Sequence, residues 1–255
     1  MLEEWTGAPV DRSLPPPRGA PLPRRRPQGW LYRLGHRQAA HLEHAQLRWY
    51  TDPTWAYRIT ARAIVPAVLN LWARVAVEGL AHVPSSGPVI VAANHRDNLD
   101  PYLLFWLLPR PVHVAARPDA FGSPGLCGLW RTLGAFPADA WGMRYAVSLL
   151  AAGGVVAMFP QARTSHALGQ AQAGTGLVAL RSGAPVVPVA ITGTDAVHLP
   201  GVLTGRASIS VRFGRAVTFD RQPGPPRSRL VADEILRQIG ALLSDLDAPG
   251  HSAAP

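Results

Sequence analysis

At 255 residues and 47% hydrophobic composition, the chain can bury one sizeable core but not two large ones, so a single main domain with flanking segments is expected. Its formal charge of +9 reflects 25 basic against 16 acidic residues, and every one of the 25 is arginine. That field attracts anionic surfaces. No zinc-ligand spacing, RNP-like aromatic box or basic heptad region accompanies it, which argues against nucleic acid and leaves a membrane phospholipid surface as the expected partner. A lone cysteine, Cys127, excludes an intrachain disulfide and a CxxC redox or metal site.

Residues 1 to about 28 are rich in Pro and Arg and poor in large apolar side chains, a composition that cannot offset ordering entropy and predicts a disordered arm, with a lead-in extending to residue 48. Arg24, Arg25 and Arg26 within it either touch anionic headgroups or form a solvated tail. The beginning has no charged stretch followed by an apolar one, so no secretory signal is expected. No window approaches the run of about 20 apolar residues that a spanning helix needs. A peripheral protein on the cytoplasmic face of the cell membrane is therefore expected.

From Trp49 to Val77, Asp52 before Pro53 resembles a helix start, and Ile59, Ile64, Val68, Leu71 and Val75 recur at helical spacing. An amphipathic helix is predicted, kinked at Pro66, within an interfacial segment spanning residues 49–80. Trp49, Tyr50, Trp55, Tyr57 and Trp72 interleave with Arg58, Arg62 and Arg74, which suits the boundary between headgroups and acyl chains. The same pattern serves packing onto the main domain equally well.

Residues 81–249 change period, and residues 250–255 read as a disordered tail. Short apolar runs at Val89–Ala93, Val112–Ala116, Gly154–Phe159, Pro185–Ile191 and Ser208–Phe213 predict buried strands. Helical stretches at Pro101–Leu108, Met143–Ala152 and Thr175–Ser182 lie between them. The fold class expected is α/β, with a mixed, largely parallel central sheet and flanking helices. A last helix, Ser228–Leu246, should cover the sheet with Leu230, Ile235, Leu236, Ile239, Leu242, Leu243 and Leu246.

The strand Val89–Ala93 delivers Asn94 and His95 at its end, with Asp100 five residues further on across a polar turn. An imidazole titrates near neutrality, and a carboxylate on its far nitrogen fixes the tautomer and stabilises the imidazolium as it forms. Such a pair can take a proton from an alcohol. Asp97, Asp119, Asp139 and Asp195 have no metal-ligand spacing and read as solvated loop carboxylates, so no metal is expected. His41 and His44 read as a solvated helix face. Cys127 has no evident activating partner and no GxSxG elbow is present, so no acyl-enzyme is required.

In its order of motifs the chain resembles the lysophospholipid acyltransferase family, which acylates glycerol phosphate and lysophosphatidate. The first motif of that family, NHxxxxD, matches Asn94, His95 and Asp100. LGAFPAD (Leu133 to Asp139) resembles the second block, GGVVAMFPQARTS (Gly153 to Ser165) the third, usually FPEGTRS, and APVVPVAI (Ala184 to Ile191) the fourth. The resemblance covers residues 78–213. It implies direct transfer, in which His95 deprotonates an acceptor hydroxyl and the alkoxide attacks the thioester of an acyl-CoA or acyl carrier protein, with Asp100 as orienting partner and no bound cofactor. It also implies that Asn94, Gly134, Gln161, Arg163, Thr164 and Ser165 bind substrate, helped by Arg144 and Arg117, and that Val187 and Pro188 flank an acyl channel. A lysophospholipid, lysophosphatidate foremost, is the acceptor it points to.

The chain departs from the pattern in two blocks. Gln161 and Ala162 replace the glutamate and glycine of the third, and Arg163 and Thr164 stand in reverse order. Ala140 replaces the arginine that closes the second. Because these blocks face the acceptor in the family, and arginine's planar fork suits phosphate, an altered acceptor such as a glycolipid is one alternative. A lipid-binding relative without activity is another.

Overall fold

A computed structural model describes residues 55–122, 130, 133–161, 164–165, 167–197, 207–221 and 224–247. The predicted arm, the tail, Arg163, Cys127, His41 and His44 lie outside the described residues. The described chain opens with α1 (Trp55–Ile59), a π-helical stretch (Thr60–Ile64) and α2 (Val65–Trp72), which follow one another without a break. Pro66 has no N–H to give the preceding turn. The wider π turn, with the Val65 N–H on the Thr60 carbonyl, ends just before it.

After this come β1 (Ala73–Glu78), β2 (Val89–Ala93), α3 (Asp100–Leu107), β3 (Val112–Ala116), β4 (Phe136–Pro137), α4 (Ala140–Ala151), β5 (Val155–Met158), α5 (Ala173–Ser182), β6 (Val186–Thr192), β7 (Ala207–Phe213) and α6 (Pro225–Leu246). The strands form one seven-stranded sheet in the order β1-β7-β6-β2-β5-β3-β4. Pairs β6/β2, β2/β5, β5/β3, β3/β4 and β1/β7 are parallel, and β6/β7 is antiparallel. The expected α/β class with a mixed, largely parallel sheet and flanking helices is what the structure has.

All five residues of β2 are buried, because the strand lies mid-sheet with both faces covered, and such strands read as unbroken apolar runs. On one face, Val89, Val91 and Val187 pack with Leu103, Leu104 and Phe105 of α3 and with Tyr57, Ala61, Val65 and Leu69 of the opening helix. On the other, Ile90, Val156 and Val186 meet Tyr145 and Leu149 of α4 and Ile235 and Ile239 of α6.

Three expectations change. The helix predicted to reach Val77 stops at Trp72, and Ala73–Glu78 become edge strand β1, paired with β7 from Ala73↔Ala207 to Glu78↔Arg212. Val75 is therefore a sheet residue, and the sheet begins upstream of residue 81. Of the two readings open for the stripe Ile59, Ile64, Val68 and Leu71, packing onto the main domain gives way: these side chains are exposed, while Tyr57, Ala61, Val65 and Leu69 are buried. On α6, Leu230 is 68% exposed and Val231 is buried in its place.

Candidate active site

Parallel pairing sets the C-terminal ends of β6, β2, β5 and β3 along one edge of the sheet, the edge where open α/β sheets hold their ligands. Asn94 and His95 leave β2 there, Phe159 to Gln161 leave β5, and Thr194 follows β6. The three motifs far apart in sequence thus meet because their strands are neighbours.

Asn94 is buried, and its amide is engaged at both ends: Nδ2 donates to the Ile191 carbonyl (2.8 Å) and Oδ1 accepts from the Ile191 N–H (2.7 Å). The side chain extends the β2/β6 ladder by one more pair. Both ends of the amide thereby brace the strand end.

His95 Nδ1 lies 2.9 Å from Asp100 Oδ2. The carboxylate is fully buried, and Oδ2 also accepts from the backbone N–H groups of Arg96 (2.6 Å) and Asp97 (2.9 Å), while Oδ1 accepts from Thr194 Oγ1 (2.8 Å). An ionised carboxylate, an acceptor only, satisfies four such donors. Asp97 Oδ1 accepts from Leu99 N–H (3.0 Å), shaping the turn that returns Asp100 to the imidazole. With Nδ1 donating to Asp100, the lone pair sits on Nε2, the nitrogen left for chemistry. The imidazole stacks on Phe159 with centroids 4.3 Å apart and planes at 26°, and it stays 15% exposed. Carboxylate and aromatic ring together fix the ring plane and leave one edge open.

The third block holds the backbone of the same histidine. Gln161 Oε1 accepts from His95 N–H (3.2 Å), and Ser165 N–H donates to the His95 carbonyl (2.8 Å). Gln161 itself is buried, whereas Thr164 and Ser165 are exposed.

In the second block Gly134 is buried with φ 76°, a left-handed conformation that favours glycine, and its carbonyl accepts from His113 Nδ1 at 3.1 Å. Full burial lowers the His113 pKa to about 4. Asp139 is not a solvated carboxylate: it caps α4, accepting from Gly142 N–H at 2.9 Å. A Cβ on Gly142 would run into the Pro137 carbonyl oxygen, so only glycine lets α4 start this close to β4.

Arg117 is engaged in a fork with Asp119, Nε to Oδ1 at 3.0 Å and Nη2 to Oδ2 at 2.6 Å, on the exposed surface. That pair holds the Asp119 carboxyl below its ordinary pKa. Arg144 is half-buried on α4. Arg96, next to His95 in sequence, was not foreseen; its Nε is buried without a hydrogen-bond partner. Val187 and Pro188 are buried in β6, so a fatty chain reaching them would displace packed neighbours. Among the described residues no group of three or more His, Cys, Asp or Glu is arranged to hold a metal. Thr194 was also missed, because its partner lies 94 residues away and the only local sign is a Gly-Thr step at a strand end.

The fold resembles that of the 1-acyl-sn-glycerophosphate acyltransferase PlsC of Thermotoga maritima, with a TM-score of 0.52 at 18% identity over 84% of this chain and 95% of that one. Residues 74–192, from β1 through β6 and including His95, Asp100, Asn94, Gln161 and Ser165, match the family model described as Acyltransferase. Over residues 74–192 the chain is thus similar to the acyltransferase family.

Proposed function

We propose that the protein transfers a fatty acyl group from an acyl thioester, carried by coenzyme A or acyl carrier protein, to the hydroxyl of a lysophospholipid-like acceptor, lysophosphatidate foremost. The observation that carries this is the 2.9 Å bond between His95 Nδ1 and buried Asp100, which leaves Nε2 as the ring nitrogen for proton transfer. Nε2 takes the acceptor's hydroxyl proton as the oxygen attacks the thioester carbonyl. The C–S bond then breaks, and the thiolate leaves with the proton from the imidazolium. Asp100 stabilises that cation while it exists.

Arg96 and Arg144 supply positive charge for phosphate of acceptor or donor, whereas Arg117 would first have to leave Asp119. Trp55 (75% exposed), Leu71 (66%), Ile64 and Trp72, with exposed Arg58 and Arg74 nearby, support docking on an anionic lipid surface. Arg62 does not contribute there, since it donates to the Trp106 and Leu108 carbonyls at the end of α3. No helix among the described residues is long and apolar enough to cross a membrane.

The test is to incubate purified protein with palmitoyl-CoA and, in separate reactions, lysophosphatidate, lysophosphatidylcholine and a lyso-glycolipid, identifying products by mass spectrometry. Diacyl product from lysophosphatidate above the others supports the reading. Product only from the glycolipid moves the acceptor, and none with any acceptor or with acyl carrier protein as donor favours a lipid-binding relative.

A further inference from the structure

We infer that Gln161 is a positioning residue whose neutral amide clasps the backbone of His95 to the loop leaving β5, and that this loop requires an amide where the family carries a carboxylate. The base of the loop is closed by the Gln172 N–H on the Pro160 carbonyl at 2.8 Å. Inside it, Gln161 Nε2 donates to the Ala167 carbonyl at 3.0 Å while Oε1 accepts from His95 N–H at 3.2 Å. The side chain is 7% exposed, so water does not readily replace either bond. With Ser165 N–H on the His95 carbonyl at 2.8 Å, both backbone polar groups of the base are held by this one loop.

A glutamate here could accept the first bond but not donate the second. Its other oxygen would face the Ala167 carbonyl oxygen, two acceptors with no proton between them. Gln161 is thus matched to the Ala167 carbonyl on one side and the His95 N–H on the other, and its two bonds orient the segment that carries the imidazole instead of engaging substrate. The kinetic part of this inference rests on the proposed transferase activity.

The test uses the full chain with Gln161→Glu and Gln161→Ala, measuring kcat, KM for donor and acceptor, melting temperature, and hydrogen exchange in peptides covering 94–97 and 165–168. Misplacing a base by a fraction of an ångström should lower kcat roughly 10-fold in both variants, with both KM values within about 3-fold of wild type and faster exchange in both peptides. If the alanine variant fails to fold, the near-isosteric glutamate variant decides alone. A glutamate variant with wild-type kcat and exchange overturns the inference, as does a rise in acceptor KM at unchanged kcat, which marks a direct substrate contact. If wild-type protein transfers no acyl group, the proposed function fails, and the exchange measurement still decides whether Gln161 is the clasp.

Discussion

The end of β2 and the opening helix invert each other's chemistry. At the strand end, three buried polar side chains are hydrogen-bonded: Asp100 is inaccessible yet receives four donors, and Asn94 and Gln161 use both ends of their amides. On the opening helix, apolar groups are exposed, with Trp55, Ile64 and Leu71 in solvent while Tyr57, Ala61, Val65 and Leu69 fill the core. Burying unsatisfied polar groups and exposing large apolar ones both cost free energy. The first cost is offset within the chain by hydrogen bonds; the second calls for a partner outside it.

The largest expected effect lies at the strand end. Asp100→Asn keeps the shape, and its amide nitrogen can donate to Thr194 Oγ1, so the fold should survive while kcat falls on the order of 100-fold through loss of the charge opposite the imidazolium. A steady-state assay beside a melting curve separates the two effects. On the helix, Leu69→Ala should lose roughly 2–5 kcal/mol in urea unfolding, as buried leucines do. Leu71→Ala, two residues on, should stay within about 0.5 kcal/mol yet weaken sedimentation with anionic vesicles. Equal destabilisation by the two would erase the distinction between the faces.

The second block supplies a pH-dependent test. His113 is neutral when folded, with its pKa lowered from 6.5 to about 4 by burial. As pH falls below 6.5 the unfolded chain takes up a proton that the folded chain refuses, so stability is full above that value and declines toward pH 4, by roughly 3 kcal/mol. His113→Asn, whose amide can still donate to Gly134, should flatten that part of the stability profile. A modest effect is expected where the helix meets the sheet: the Tyr57 hydroxyl accepts from Val112 N–H at 3.3 Å, and Tyr57→Phe should cost about 1 kcal/mol.

Much of this was legible because central strands announce themselves. Val89–Ala93 is a continuous apolar run between turn residues and Val112–Ala116 is broken only by His113, and the structure has strands at those bounds. The edge strand β1 was not legible, since Val75 continues the helical spacing of the preceding segment and only pairing with β7 decides its state. The helix itself was apolar on two sides, so periodicity alone could not say which stripe faces inward. At the site, the His95–Asp100 spacing is local and could be read, and so could the order of the blocks. Thr194, and the use of Asn94 and Gln161 as braces, depend on strands β2, β5 and β6 lying side by side, which no local pattern encodes.

The most direct measurement of the central claim is thiol release from palmitoyl-CoA with lysophosphatidate, comparing wild-type protein with His95→Ala under matched melting temperatures. Acceptor-dependent release that drops about 1,000-fold or more in the variant is the predicted result, at the upper part of the range for losing a general base. Equal release from the two proteins would contradict it.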